Sequence, residues 1–70
     1  MNLKNANVGK IYKIKKLKID DEELGAFLFS LGCYSGEDIA VVRHLSGGCI
    51  VVIKDARYHI DNQLAEAIII

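Results

Sequence analysis

From Gly9 to Ile19 apolar residues alternate with lysines, first as Tyr12 and Ile14 and then as Leu17 and Ile19. An alternation of period two is that of a strand with one face turned inward. Its phase slips at Lys15-Lys16, which predicts a bulge, and a strand bent by a bulge is what a small barrel needs in order to close. The period then changes. Leu24, Phe27, Leu28 and Leu31 fall at i, i+3, i+4 and i+7, one stripe of a helix running from about Asp21 to Leu31. Asp20, with Glu23 three residues on, supplies the start signal and Gly32 the stop. Phe29 lies off the stripe and reads as a partly covered ring at the edge of the core.

Beyond the helix, Cys33-Tyr34-Ser35-Gly36 supplies a turn, and Ile39 to Val42 is a β-branched run of strand length. Ser46-Gly47-Gly48 breaks the chain. Cys49 to Ile53 forms the next strand, Lys54-Asp55-Ala56-Arg57 a tight connection, and Tyr58 with Ile60 resumes the alternation, which together read as a hairpin. Asp61 can cap one helical turn through Ala65, and Ala67 to Ile70 makes a fifth strand. Short strands with one helix inserted between the first and the second, and no βαβ repetition, predict a mainly β fold closed as a small barrel. The expected core comprises Tyr12, Ile14, Leu24, Leu28, Leu31, Ile39, Val41, Val51, Ile53, Tyr58, Ile60, Leu64 and Ile68.

At 70 residues, 51% of them hydrophobic and 26% charged, the chain is sized for one core and is too apolar to remain disordered. Nine basic residues balance nine acidic ones, so the excess positive charge of a dedicated nucleic-acid binder is missing and no nucleic-acid partner is expected. The charges are nevertheless segregated. Six lysines and no acid lie in residues 1–19, and six acids and no base in residues 20–38. One reading is a solvated strand face followed by acids that start a helix; the other is a lysine strand that meets an acidic partner surface or an anionic membrane face. The longest apolar runs are too short to span a bilayer, and residues 1–9 lack the apolar run of a signal peptide, which places the chain in the cytosol. Cys33 and Cys49 are expected to be reduced thiols.

Catalytic signatures are missing from the pattern. Neither a nucleophile elbow nor a Cys-His motif surrounds Ser30, Ser35, Ser46, Cys33 or Cys49. The glycines do not form a phosphate-binding loop. Cys33, His44, Cys49 and His59 are the side chains suited to a transition metal, but none forms a local pair, so neither a metal site nor a cofactor is expected.

As a whole the chain resembles the ferrous iron transport protein A (FeoA) family, small proteins of bacterial iron uptake with an SH3-like barrel. The likeness starts with Leu3, Gly9, Tyr12 and Ile14, and sharpens at Leu28-Phe29-Ser30-Leu31-Gly32, which fits the family's LxxLG. Gly36 with Ile39 and Val41 follows its PGxxVxV pattern, and Leu64-Ala65-Glu66-Ala67-Ile68 its LAxxI ending. The chain departs from the family in having Ser35 and Cys49 where prolines are usual, Phe27 where arginine is frequent, and Asp55 at a hairpin glycine. Asp tolerates left-handed backbone geometry, so the hairpin survives that exchange. The resemblance implies an SH3-like barrel, no catalysis, and a regulatory or scaffolding role through contact with the cytosolic part of a large membrane iron transporter. An alternative is the SH3-like module of a metal-dependent transcription regulator or a nucleic-acid-associated protein. Self-association is a further expectation.

A contact surface can be placed on the turn after the helix. Cys33 and Tyr34 stand between Gly32 and Gly36, and irregular backbone belongs on the outside, where its polar groups are solvated. Tyr34 offers a large contact area at low rotamer cost, and Leu45 could extend the same apolar surface. In the opposing reading Tyr34 folds back over the barrel end as a plug.

Overall fold

The computed structural model describes residues 1–70. The chain forms β1 (Ile11–Lys13), β2 (Lys16–Leu17), helix α1 (Glu22–Ser30), β3 (Asp38–Leu45), β4 (Gly48–Ile53), β5 (Ala56–Asp61), helix α2 (Asn62–Ala67) and β6 (Ile68–Ile69), after a 3-10 turn over Leu3–Asn5. A four-stranded antiparallel sheet has the order β1-β3-β4-β5, and β2 pairs with β6 in a second, two-stranded sheet.

The slip at Lys15-Lys16 is where one sheet passes into the other. The Ile14 N–H donates to the Glu37 carbonyl at 2.9 Å, on the side of β3, while the next N–H, that of Lys15, donates to the Ile69 carbonyl at 2.7 Å. The expected first strand therefore becomes two, β1 and β2, and the strand count rises from five to six. The turn before β3 clamps this pivot: the Gly36 N–H donates to the Ile14 carbonyl at 2.8 Å and the Ser35 hydroxyl to the Lys15 carbonyl at 3.0 Å.

Helix α1 differs from expectation in its cap. Asp21, not Asp20, holds the extended backbone of an N-cap, and its Oδ1 accepts from the N–H groups of Glu23 at 2.8 Å and Leu24 at 3.2 Å. Glu22 and Glu23 sit in the first turn, where the helix dipole favours negative charge. At the other end Gly32 takes φ +91°. Its N–H donates to Phe29 O and the Cys33 N–H to Leu28 O, both at 2.9 Å, which is a Schellman closure.

The hairpin of β4 and β5 turns in two residues rather than four. Lys54 and Asp55 both have positive φ, 49° and 66°, the twist of a type I′ turn, so β5 already starts at Ala56. Strand β3 outlasts its β-branched run and continues through Arg43, His44 and Leu45, with a register shift between Val41 and Arg43. Asp61 caps α2 by accepting from the Leu64 N–H at 2.8 Å.

Of the expected core, Ile14, Leu28, Ile39, Val41, Val51, Ile53, Ile60 and Ile68 are buried. Tyr12, Leu31, Tyr58 and Leu64 are only partly buried and pack against that cluster, and Leu24 is also partly exposed. Leu3, Ala6, Cys33, Cys49, Ala65 and Ile70 join the buried set. Leu3 opens the 3-10 turn and Ala6 caps its end; the short-period reading of the chain leaves them out because so brief a turn carries no periodicity. No helix is long and apolar enough to cross a membrane.

Candidate partner-contact site

Cys33, Tyr34 and Leu45 do not share a surface. Cys33 is fully buried, which corrects its expected place on the outside. The cause is the helix closure: the residue after the left-handed glycine of a Schellman motif turns back onto the helix three residues before its cap, here Leu28, which is also fully buried. Burial pushes the Cys33 thiol up to about 11 and raises that of Cys49 as well, so neither is a ready thiolate. Leu45 lies at the far end of β3 from Tyr34, and that eight-residue strand spans roughly 25 Å at about 3.3 Å per residue. It does not extend the surface around Tyr34.

Tyr34 has different neighbours. Its ring lies 4.8 Å, centroid to centroid, from that of Phe29, with the planes tilted by 32°. The Phe29 ring is 64% exposed, so this pair stacks outside the core instead of sealing it. Tyr34 is partly exposed and does not belong to the residues packed against the central cluster. The Lys54 ammonium stands 5.5 Å from the Tyr34 centroid and 3.2 Å from Glu37 Oε1. The Tyr34 hydroxyl first, and Glu37 second, raise the Lys54 pKa above its ordinary value. A bare Gly32 makes room for this lysine: a Cβ there would lie 2.9 Å from Lys54 Cδ. The Schellman turn thus puts Phe29 and Tyr34 side by side, and the type I′ turn brings Lys54 across them.

Next to this cluster a shallow groove of about 330 Å³ runs along the outer face of the sheet, with Ile11, Ala40 and Val52 as its floor and Glu37, Asp38 and Lys54 at its rim. Ile11 and Val52 flank Ala40 in the strand register, which explains the continuous apolar floor. Sequence reading missed Phe29, Glu37 and Lys54 as members of the site. Phe29 had a signal, since an aromatic residue off the buried stripe is left in the open; the other two are brought in by turns whose geometry no short pattern encodes. Phe27, although on the stripe, is 50% exposed.

The segregated charges are only partly paired, and Lys15, Lys16 and Lys18 have no carboxylate partner. Lys13 pairs with Asp38 at 2.8 Å and Lys4 with Glu66 at 2.9 Å, both at the surface, and Lys10 stands 5.2 Å from the Tyr12 centroid. Among the side chains suited to a metal, His44 Nε2 lies 2.8 Å from the Ala6 carbonyl, His59 is exposed on β5, and the two cysteines are buried. No three His, Cys, Asp or Glu side chains gather in a way that could hold an ion.

The model of the FeoA domain family matches residues 1–70. The chain belongs to the FeoA family. Among solved structures it is similar to iron(II) transport protein A from Clostridium thermocellum, with a TM-score of 0.88 and 24% identity over 97% of this chain and 43% of that one. Stenotrophomonas maltophilia FeoA complexed with zinc, described as a prokaryotic SH3 domain protein, aligns with a TM-score of 0.85 and 15% identity over 99% of this chain and 87% of that one. A manganese-dependent transcriptional repressor reaches a TM-score of 0.83 at 20% identity, covering 97% of this chain and 39% of that one. At such identities these likenesses establish the SH3-like fold, and the chain spans less than half of the clostridial structure. No curated protein matches it.

Proposed function

We propose that the chain is a cytosolic accessory protein of ferrous iron uptake that acts by protein–protein contact with the cytosolic part of the large membrane iron transporter. The observation that carries this reading is the family match over all 70 residues. The contact is made by the face that Phe29 and Tyr34 present, with the Lys54–Glu37 pair beside it. Two adjacent rings give a protein partner a large apolar area, and the neighbouring charges give it orientation. Tyr34 remains part of the expected contact; Cys33 and Leu45 do not. The assignment is tested by uptake of labelled ferrous iron in cells that lack the chain, then in cells given it back or given a Phe29→Ser, Tyr34→Ser version. Reduced uptake restored only by the unaltered chain supports it, and unchanged uptake without the chain overturns it.

A further inference from the structure

Strand β5 is an edge of the four-stranded sheet: it pairs with β4 on one side and has no neighbour on the other. Its six residues keep an unbroken register with β4, without a bulge, and the sequence has no proline, so two devices that commonly blunt an edge are missing. In a two-residue hairpin the residues flanking the turn bond each other, which makes Ala56, Tyr58 and Ile60 the residues whose backbone groups face β4. Those of Arg57 and His59 face outward. No backbone group of residues 56–60 bonds outside the ladder.

We propose that this edge is a self-association site that takes β5 of a second copy, antiparallel, about a two-fold axis at His59. The outward backbone groups of Arg57, His59 and Asp61 bond in a register centred on any one residue of the strand. Centring on Tyr58 sets Arg57 opposite His59 with no ion pair, and centring on Ile60 leaves only residues 59–61 of the strand paired. Centring on Arg57 would set two guanidinium groups opposite each other, which is repulsive. Centring on His59 instead sets Arg57 opposite Asp61 of the second copy, twice over, and Tyr58 opposite Ile60. The charges are available for this. Arg57 has no carboxylate partner within its own chain, and Asp61 uses Oδ1 for its helix cap while Oδ2 makes no bond. The two copies then share one eight-stranded sheet. A six-residue edge buries less than a permanent interface, so the dimer is weak and depends on concentration.

Sedimentation equilibrium of the whole chain over a wide concentration range tests this. The expected result is a monomer–dimer equilibrium that Arg57→Asp weakens by about tenfold or more, through two repulsive pairs. His59→Pro should abolish it with an unchanged circular dichroism spectrum, because the lost N–H serves no bond with β4. Mixing Arg57→Asp with Asp61→Arg chains should restore association, since both cross-strand pairs are again of opposite charge. A chain that stays monomeric up to about 1 mM overturns the proposal. So does a dimer that Arg57→Asp leaves intact, which needs no proline variant to fold.

Discussion

The N–H groups of Ile14 and Lys15, neighbours in the chain, donate in different directions, one to Glu37 O, just before β3, at 2.9 Å and the other to Ile69 O in β6 at 2.7 Å. A gap between β1 and β2 is therefore a bonded corner and not a loose loop. Hydrogen exchange should show both amides protected to a degree comparable with Val51 in the sheet centre. Exchange of Lys15 at the rate of an unstructured peptide would refute the corner.

The two glycines of the β3–β4 turn have opposite standing. A Cβ on Gly48 would overlap the Ile60 carbonyl oxygen and lie 2.9 Å from Asp61 Cα, both backbone of the paired strand, whereas one on Gly47 meets nothing within 4 Å. Gly48→Ala should cost upwards of about 3 kcal/mol, because two strands must part, and Gly47→Ala within about 0.5 kcal/mol. Urea unfolding of the two variants checks this, and equal effects would contradict the close approach.

Asp20 and Asp21 are chemically alike, yet only Asp21 receives helix N–H groups. Asp21→Ala should lower stability by about 1 kcal/mol and Asp20→Ala by a few tenths at most. Thermal or denaturant unfolding distinguishes them, and the reverse order would move the helix start back by one residue.

The buried Cys33 thiol gives a pH signature. Its pKa rises from 9.0 to about 11 on folding, so the unfolded chain releases this proton first. Stability is fully present below pH 9, falls as pH rises, and stops falling above about 11, a loss of roughly 2–3 kcal/mol by linkage. Lysines titrate in the same window, so the readout is the difference from Cys33→Ala, which should show a shallower decline. Identical slopes for both proteins would contradict the burial of the thiol.

Much of this was legible in the sequence because burial imposes a period. Tyr12 and Ile14 against Leu17 and Ile19 marked the corner, and Leu24, Leu28 and Leu31 marked the helix. Leu3 and Ala6 escaped because a three-residue turn is shorter than any period. Cys33 was misplaced although Gly32 carried the clue: a left-handed glycine that ends a helix turns the next residue inward. The site itself was half legible. Tyr34 stood out between two glycines, but its partners Glu37 and Lys54 arrive through turn geometry, and Leu45 was separated from it by a strand longer than its β-branched run suggested.

Binding to the cytosolic part of the membrane iron transporter, measured by titration calorimetry with the wild-type chain and with Phe29→Ser and Tyr34→Ser, tests the proposed contact most directly. Saturable binding is predicted, weakened by about 1–2 kcal/mol in each variant, the scale of a modest interface hot spot, with little change in Tm. Absence of binding, or binding that neither substitution alters, would contradict it.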